Sequence, residues 1–167
     1  MTGLEIAAQA AEEGVARADV LVCCGGGGLS AGIALALEAE APGLRVRPAE
    51  PAGFDDMARS LAAGERLGNA RTSGSVCDAI LTPRPGELTF PVLSRLAGPG
   101  FAVTDEEALA AVALAFRHLR IVLEPGGAVS LAAALFRRGD IEGDAVICVA
   151  SGGNVDPALF ARAIGAA

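Results

Sequence analysis

The feature that most constrains this chain is a run of four glycines, Gly25, Gly26, Gly27 and Gly28, which we call the glycine loop. An apolar segment over residues 20–24 precedes it, and a helical pattern over residues 29–40 follows it. A strand, a glycine loop and a helix in this order suit an anion, because glycines let the backbone approach closely and a helix start presents unpaired N–H groups. We therefore predict a phosphate-type anion site at this loop.

The chain contains no lysine, since all thirteen basic residues are arginines. This excludes a P-loop, which requires a Gly-Lys-Ser/Thr sequence. A strict dinucleotide fingerprint also fails, but its relaxed form fits Gly26, Gly28 and Ala31, with Glu50 at roughly the spacing of the acidic residue. A Rossmann-type nucleotide site therefore stays open from spacing alone.

Composition indicates one aliphatic domain spanning residues 1–167. The chain is 52% apolar, has no Trp or Tyr, and carries a net charge of −7 without a long basic run, so we expect no nucleic-acid partner. No apolar stretch is long enough to span a membrane and no signal peptide is recognisable, so we expect a cytoplasmic protein without a membrane partner. The four cysteines form no C-x-x-C pair, and we expect them to be reduced core residues.

Alternating strand and helix patterns predict an α/β fold with an open, mostly parallel sheet and helices on both faces. Thr2 with Glu5 and Thr104 with Glu107 are predicted capping boxes. We predict strands over residues 19–24, 44–49, 101–103 and 145–150, with a further apolar strand end at 121–123. The predicted helices cover residues 2–17, 29–40, 54–63, 87–96, 104–119, 125–138 and 157–164.

Three further groups of residues have the chemistry of a site. Ser151, followed by two glycines and Asn154, comes at the carboxyl end of a buried strand, where open α/β sheets bind ligands. Glu50 with the nearby Asp55 and Asp56 could bind a hard cation such as Mg²⁺, or could be a solvated acidic helix start. Glu124 precedes a predicted helix and faces either the same crevice or that helix start.

His118 is the only histidine, and we expect it to be a surface residue or a satisfied helical one. No Gly-x-Ser-x-Gly sequence follows an apolar strand, so no hydrolase triad is predicted. We assign no catalytic residue.

These groups, in this order, resemble the carboxy-terminal half of the pyridoxal-phosphate-dependent threonine/serine dehydratases, a family that includes serine racemase. The resemblance covers nearly the whole chain. The segments that carry it are Cys24-Gly25-Gly26-Gly27-Gly28-Leu29-Ser30-Ala31-Gly32, Ala49-Glu50-Pro51, Leu123-Glu124-Pro125-Gly126-Gly127-Ala128 and Ser151-Gly152-Gly153-Asn154. It implies the larger-domain part of the tryptophan synthase β-like fold.

By this resemblance, pyridoxal 5′-phosphate is the cofactor, and the glycine loop and Leu29 give backbone N–H groups to its phosphate. Ser151 would hydrogen-bond the pyridine nitrogen, and Glu124 would line the cofactor pocket. In the metal-dependent members a divalent cation, Mg²⁺ here, would bind Glu50, the carbonyl of Phe54 and Asp56. The implied reaction is α,β-elimination from a threonine- or serine-type amino acid to a 2-oxo acid and ammonia.

The chain departs from the family in two ways. The usual Ala-Asp-Gly sequence has Cys77-Asp78-Ala79 as its counterpart, which puts the conformation of that loop in doubt. The amino-terminal half, with the Schiff-base lysine and the segment that binds the substrate carboxylate, is missing. We expect a fragment (a truncated protein, a mis-started frame or a split gene) that is inactive alone and belongs to a homo-oligomer. The alternatives are a non-catalytic phosphate-binding partner module, or a serine racemase or hydroxyaspartate dehydratase parent.

Overall fold

The computed structural model describes residues 1–165 and contains one four-stranded parallel sheet. The strands are β1 (Ala18–Cys23), β2 (Leu44–Pro51), β3 (Phe101–Val103) and β4 (Ala145–Val149). The strand order is β3-β2-β1-β4, so β1 lies inside the sheet between β2 and β4. Helical crossovers join β1 to β2 and β2 to β3, as parallel pairing requires.

Seven α-helices connect and cover these strands in the described part of the chain. A 3₁₀ turn at Asp78–Ile80 lies in the long segment between residues 63 and 89, and a second lies at Arg138–Asp140. The helices are α1 (Thr2–Glu12), α2 (Gly28–Glu40), α3 (Asp56–Ala63), α4 (Thr89–Leu96), α5 (Asp105–Leu114), α6 (Pro125–Phe136) and α7 (Pro157–Gly165).

The two faces of the sheet are covered by different helices. Leu21 and Cys23 of β1 pack into one core with residues of α5, α6 and α7. Val20 and Val22 point to the other face and pack with residues of α1, α2, α3 and α4. Successive apolar side chains of β1 therefore point alternately into the two cores. The predicted three-layer α/β fold is confirmed. No helix within residues 1–165 is long and apolar enough to cross a membrane.

The start and end of α1 differ from the prediction. Met1, not the predicted Thr2, is the N-cap, and no described side chain caps this helix, so the predicted Thr2–Glu5 capping box is wrong. The helix stops at Glu12 because Gly14 takes a left-handed φ of 71° and the amide of Val15 bonds back to the carbonyl of Ala10 at 2.8 Å. The second predicted capping box is present, with Thr104 and Glu107 each accepting from the other's backbone amide.

The predicted strand end at residues 121–123 is absent from the described sheet. The segment instead follows a π-helical turn at Ala115–Leu119, which continues α5, and Arg120 reverses the chain with a φ of 61°. Ile121 and Val122 belong to no strand, and their side chains are 39% and 47% exposed. Apolarity alone suggested a strand there, and the chain reversal prevents one.

Strand β4 was expected to be buried, and the structure corrects this. It lies at the edge of the described sheet with β1 as its neighbour, and Val146 is 42% exposed. The cysteines are free as predicted, with Cys23, Cys24 and Cys77 buried and Cys148 half-buried.

Candidate functional site

The carboxyl ends of β1 and β4 meet at one edge of the sheet, where both glycine-rich segments begin. A cavity of about 330 Å³ opens there. All seven residues predicted to bind the cofactor line it, and residues that flank the glycine loop and one further segment, residues 79–82, complete the wall. The lining residues are Cys23, Cys24, Gly25, Gly26, Gly27, Gly28, Leu29, Ser30, Ala79, Ile80, Thr82, Glu124 and Ser151.

The four glycines of the loop have two different roles. A Cβ on Gly27 would lie 2.7 Å from the Met57 side chain, and its φ of +89° already disfavours other residues. A Cβ on Gly25 would lie 3.2 Å from the carbonyl oxygen of Ile80. At Gly26 and Gly28, by contrast, an added Cβ would have no atom of the described chain within 4 Å. Gly25 and Gly27 therefore let the loop pack, whereas Gly26 and Gly28 leave open space where a ligand can approach the backbone.

The start of α2 presents free amide groups to this space. Gly27 is the N-cap and Gly28 the first helical residue, and no side chain within residues 1–165 caps the helix. The first amides of a helix have no intrahelical acceptor, and the helix dipole adds positive potential there. The hydroxyl of Ser30, in the first turn, is fully buried without a hydrogen-bond partner among the described residues. This arrangement suits an anion such as a phosphate monoester.

Two distant segments are joined on the other side of the cavity. The amide of Glu124 donates to the carbonyl of Gly152 at 3.0 Å, and the amide of Ser151 donates to the carbonyl of Gly127 at 3.4 Å. A Cβ on Gly127 would lie 2.6 Å from the Gly152 carbonyl oxygen, so this contact requires glycine. Glu124 is half-buried and Ser151 exposed. These hydrogen bonds place both polar side chains on the wall that faces the glycine loop.

Glu50 lies behind the glycine loop and not in the cavity. It is the penultimate residue of β2 and is fully buried, and its two carboxylate oxygens accept from the amides of Met57 at 3.0 Å and Ala58 at 2.8 Å. The carboxylate therefore stabilises the start of α3, as the acidic-helix-start alternative anticipated, although it is buried and not solvated. A dinucleotide site needs an acidic side chain that a ribose can reach, and the buried Glu50 is out of reach. This argues against the Rossmann-type alternative.

Phe54 and Asp56 lie beside Glu50, in the turn before α3 and at its first residue. Asp56 is fully buried, with one oxygen accepting from Asn69 Nδ2 at 2.6 Å and the other without a partner among the described residues. Within residues 1–165 no three His, Cys, Asp or Glu side chains are grouped so as to hold a metal ion. The predicted Mg²⁺ therefore has no support from the structure, and the ligand set stays a prediction.

Burial controls the protonation of these groups. It raises the pKa of Glu50 well above its ordinary value, against the opposing effect of the two amide hydrogen bonds. Burial also raises the pKa of Asp56, and the hydrogen bond from Asn69 partly offsets it. The pKa of the Cys24 thiol is raised by burial first and by the nearby Glu50 next. Cys24 is therefore protonated at neutral pH and is no nucleophile.

Several residues of the site were not predicted. Ala79, Ile80 and Thr82 complete the wall of the cavity beside the glycine loop, where Ile80 and Thr82 lie close to Gly25. The Cys77-Asp78-Ala79 sequence, which departs from the usual Ala-Asp-Gly of the family, drew attention to this segment. Nothing in the sequence pattern predicted that the segment lies against the glycine loop. His118 is exposed on the π-helical turn, outside the cavity, as predicted.

Comparison with known proteins gives one consistent family. The model of the pyridoxal-phosphate dependent enzyme family matches residues 1–152. A serine racemase from Oryza sativa subsp. indica is 37% identical over 142 residues, which cover 82% of this chain and 41% of the relative. An L-threonine ammonia-lyase from Geobacter sulfurreducens is 37% identical over 140 residues, which cover 83% of this chain and 34% of the relative. The chain therefore spans less than half the length of these curated relatives.

Solved structures agree with the sequence matches. The crystal structure of a threonine deaminase from T.th. superposes with a TM-score of 0.86 at 39% identity, over 92% of this chain and 55% of that one. The architecture is that of tryptophan synthase β-like enzymes, as the resemblance implied.

Proposed function

Because the chain belongs to the family of pyridoxal-phosphate dependent enzymes, we propose that it is the cofactor-phosphate-binding part of a threonine/serine ammonia-lyase. One observation carries the proposal: the glycine loop, Glu124 and Ser151 line the same cavity. The open space above Gly26 and Gly28 and the free amides of α2 fit a phosphate.

The residues of this chain would bind and orient the cofactor. Backbone amides of the glycine loop and Leu29 hold its phosphate, Ser151 hydrogen-bonds the pyridine nitrogen, and Glu124 lines the ring pocket. When bound, pyridoxal phosphate accepts the electron pair released at the α-carbon of an amino acid, so that a β-hydroxyl can leave. The overall products from threonine or serine are a 2-oxo acid and ammonia.

The chain has no lysine. The amine that holds the cofactor covalently, and the base that moves the substrate proton, must then come from another polypeptide segment. We propose that residues 1–167 form one domain that is inactive alone and works with a lysine-bearing half in a cytoplasmic homo-oligomer. A serine racemase or a hydroxyaspartate dehydratase is the alternative parent. A bound Mg²⁺ at Glu50, Phe54 and Asp56 is no part of the central proposal.

Equilibrium dialysis with pyridoxal 5′-phosphate and with pyridoxal tests the site. We expect the phosphorylated compound to bind at least about tenfold more tightly, because only it meets the loop amides, a difference of about 1.4 kcal/mol. Equal affinities would contradict a phosphate site. The isolated chain should release no ammonia from threonine or serine, and ammonia release by the lysine-free chain would overturn the assignment of inactivity.

A second candidate, a non-catalytic phosphate-binding partner module, is favoured by the absent lysine alone. Mixing the chain with the separately expressed lysine-bearing half of a matched ammonia-lyase distinguishes the two. Threonine-dependent ammonia release by the mixture supports the enzyme part. A stable complex that binds the cofactor without any turnover supports the module.

A further inference from the structure

Helix α4 and the turn before it hold the glycine loop from a side that contributes no residue to the cavity lining. The carbonyl oxygen of Gly26 accepts two hydrogen bonds from there, from the amide of Gly86 at 3.1 Å and from the hydroxyl of Thr89 at 2.5 Å. Thr89 Oγ1 also lies 3.3 Å from the carbonyl of Gly86, but its single proton is drawn to the much closer Gly26 oxygen. The Gly26 carbonyl is thus held by two donors.

From this contact we propose that Thr89 is a positioning residue, which orients the Gly26–Gly27 peptide so that the Gly27 amide faces the bound phosphate. A trans peptide is planar, and its C=O and N–H point in opposite directions; no cis peptide occurs in the described part of the chain. With the Gly26 carbonyl directed at α4, the Gly27 N–H is directed away from it. The lining of the cavity contains Gly27 but no residue of α4, so the amide points to the cavity side.

The loop needs such a constraint because glycines allow the opposite orientation. The φ of Gly27 is +89°, and rotation of the peptide plane by half a turn would give a φ of similar size and negative sign, which glycine also adopts. That rotation would direct the Gly26 carbonyl, a hydrogen-bond acceptor with negative partial charge, at the anion. Losing the Thr89 donor removes one of the two bonds that oppose it.

The position of Thr89 supports this role independently of the hydrogen bond. An added Cβ on Gly27 would lie 2.9 Å from Thr89 Oγ1, so the hydroxyl is packed against the loop. Thr89 is the first residue of α4, and Leu93 of the same helix is fully buried beneath the loop. The half-buried donor therefore belongs to a helix that Leu93 anchors in the hydrophobic core.

Three variants of the full chain test the proposal by amide NMR without ligand. Thr89→Val keeps the shape and removes the hydroxyl, Thr89→Ser keeps the hydroxyl, and Thr104→Val removes a comparable capping hydroxyl far from the site. We expect Thr89→Val to displace the Gly27 amide resonance, because part of the population then turns this amide from the cavity towards α4, and Thr89→Ser to restore the wild-type position. A Gly27 resonance unchanged in Thr89→Val, or shifted equally in Thr104→Val, overturns the proposal.

Titration with inorganic phosphate then tests the consequence, which rests on the proposed phosphate site. Wild type and Thr89→Ser should show saturable shifts of the loop amides, with affinity reduced about tenfold in Thr89→Val. Equal affinity in all variants would overturn the positioning role. If phosphate does not shift the loop amide resonances of the wild-type chain, the phosphate site is overturned, and with it the role of Thr89 in anion binding. The orientation of the Gly26–Gly27 peptide is tested separately by the spectra recorded without ligand.

Discussion

The backbone amide of Glu124 donates a 3.0 Å hydrogen bond to the carbonyl of Gly152, and this bond joins two strand-end segments into one wall of the candidate site. The two glycines at this contact tolerate different changes. An added Cβ on Gly152 would meet the flexible end of the Glu124 side chain, at 2.0 Å from Oε1. An added Cβ on Gly127 would meet the backbone of Gly152, which cannot move without breaking the contact.

We therefore predict opposite consequences for two alanine substitutions. Gly127→Ala should lower the free energy of unfolding by about 2 kcal/mol or more, because backbone must shift in a packed core. Gly152→Ala should cost less than about 1 kcal/mol, because Glu124 can turn aside, but it should weaken pyridoxal phosphate binding. Urea unfolding and equilibrium dialysis measure the two effects. Equal stabilities would show that the contact is looser than described.

A second prediction separates the packing and ligand roles in the glycine loop. Gly27→Ala should lower the free energy of unfolding by about 2–4 kcal/mol, since it combines a strained φ with a collision against Met57. Gly26→Ala and Gly28→Ala should stay within about 0.5 kcal/mol of wild type, because open space surrounds the new methyl.

The latter two variants should nevertheless bind pyridoxal phosphate at least about tenfold more weakly, since the methyl occupies the anion's position. Gly139→Ala is the matched control, because its added Cβ also meets no neighbouring atom of the described chain and lies outside the cavity. Unchanged affinity in both loop variants would place the phosphate elsewhere.

A third prediction concerns the pH dependence of stability. The raised pKa values of Glu50 and Asp56 mean that the folded protein holds these protons more tightly than the unfolded chain. Their contribution is complete below the ordinary carboxyl range and is lost as the pH rises through the raised values. The opposing charges near Asp56 are the acidic Asp55 and the basic Arg59, which do not reverse the direction of its shift.

Other carboxyls, such as Glu38 and Glu107, have lowered pKa values and change stability in the opposite direction. Asp56→Asn isolates the effect of Asp56, because wild type and variant share these other groups. The variant should gain stability relative to wild type as the pH is raised from acid to neutral. Urea unfolding over that range measures the difference, and parallel curves would contradict the shift. Repeating the measurement with added Mg²⁺ tests the metal prediction, which requires stabilisation of wild type and none of Asp56→Asn.

The fourth prediction concerns a buried ion pair at the other end of the sheet. Arg47 Nη1 lies 2.7 Å from Asp19 Oδ2, both side chains are buried, and the guanidinium stacks 4.0 Å from the centre of the Phe101 ring. Arg47→Met should lower the free energy of unfolding by about 3–5 kcal/mol, because the buried Asp19 would lose its buried partner. Arg45→Met, which removes a half-exposed partner, should cost at most about 1 kcal/mol. A smaller loss for Arg47→Met than for Arg45→Met would contradict the ranking.

The residues that line the candidate site could be predicted from the sequence, whereas the residues that hold the glycine loop in place could not. The glycine loop, Glu124 and Ser151 could be predicted, because packing alone rarely requires a run of glycines or polar residues at strand ends. The roles of Gly86 and Thr89 could not, since a hydrogen bond to the Gly26 carbonyl depends on how the long segment before α4 folds back. Thr2 and Thr104 have the same capping pattern, yet only Thr104 caps, because α1 begins one residue earlier than its pattern indicates.

The strand order has a consequence for the assembly of the protein during synthesis. Strand β1 carries the glycine loop, and its second neighbour in the sheet is β4, with Ala18 opposite Ala145. A ribosome must therefore release almost the whole of the described chain before the sheet beside the loop can close. Until then one edge of β1 lacks its partner, and its unpaired backbone is open to non-native strand pairing.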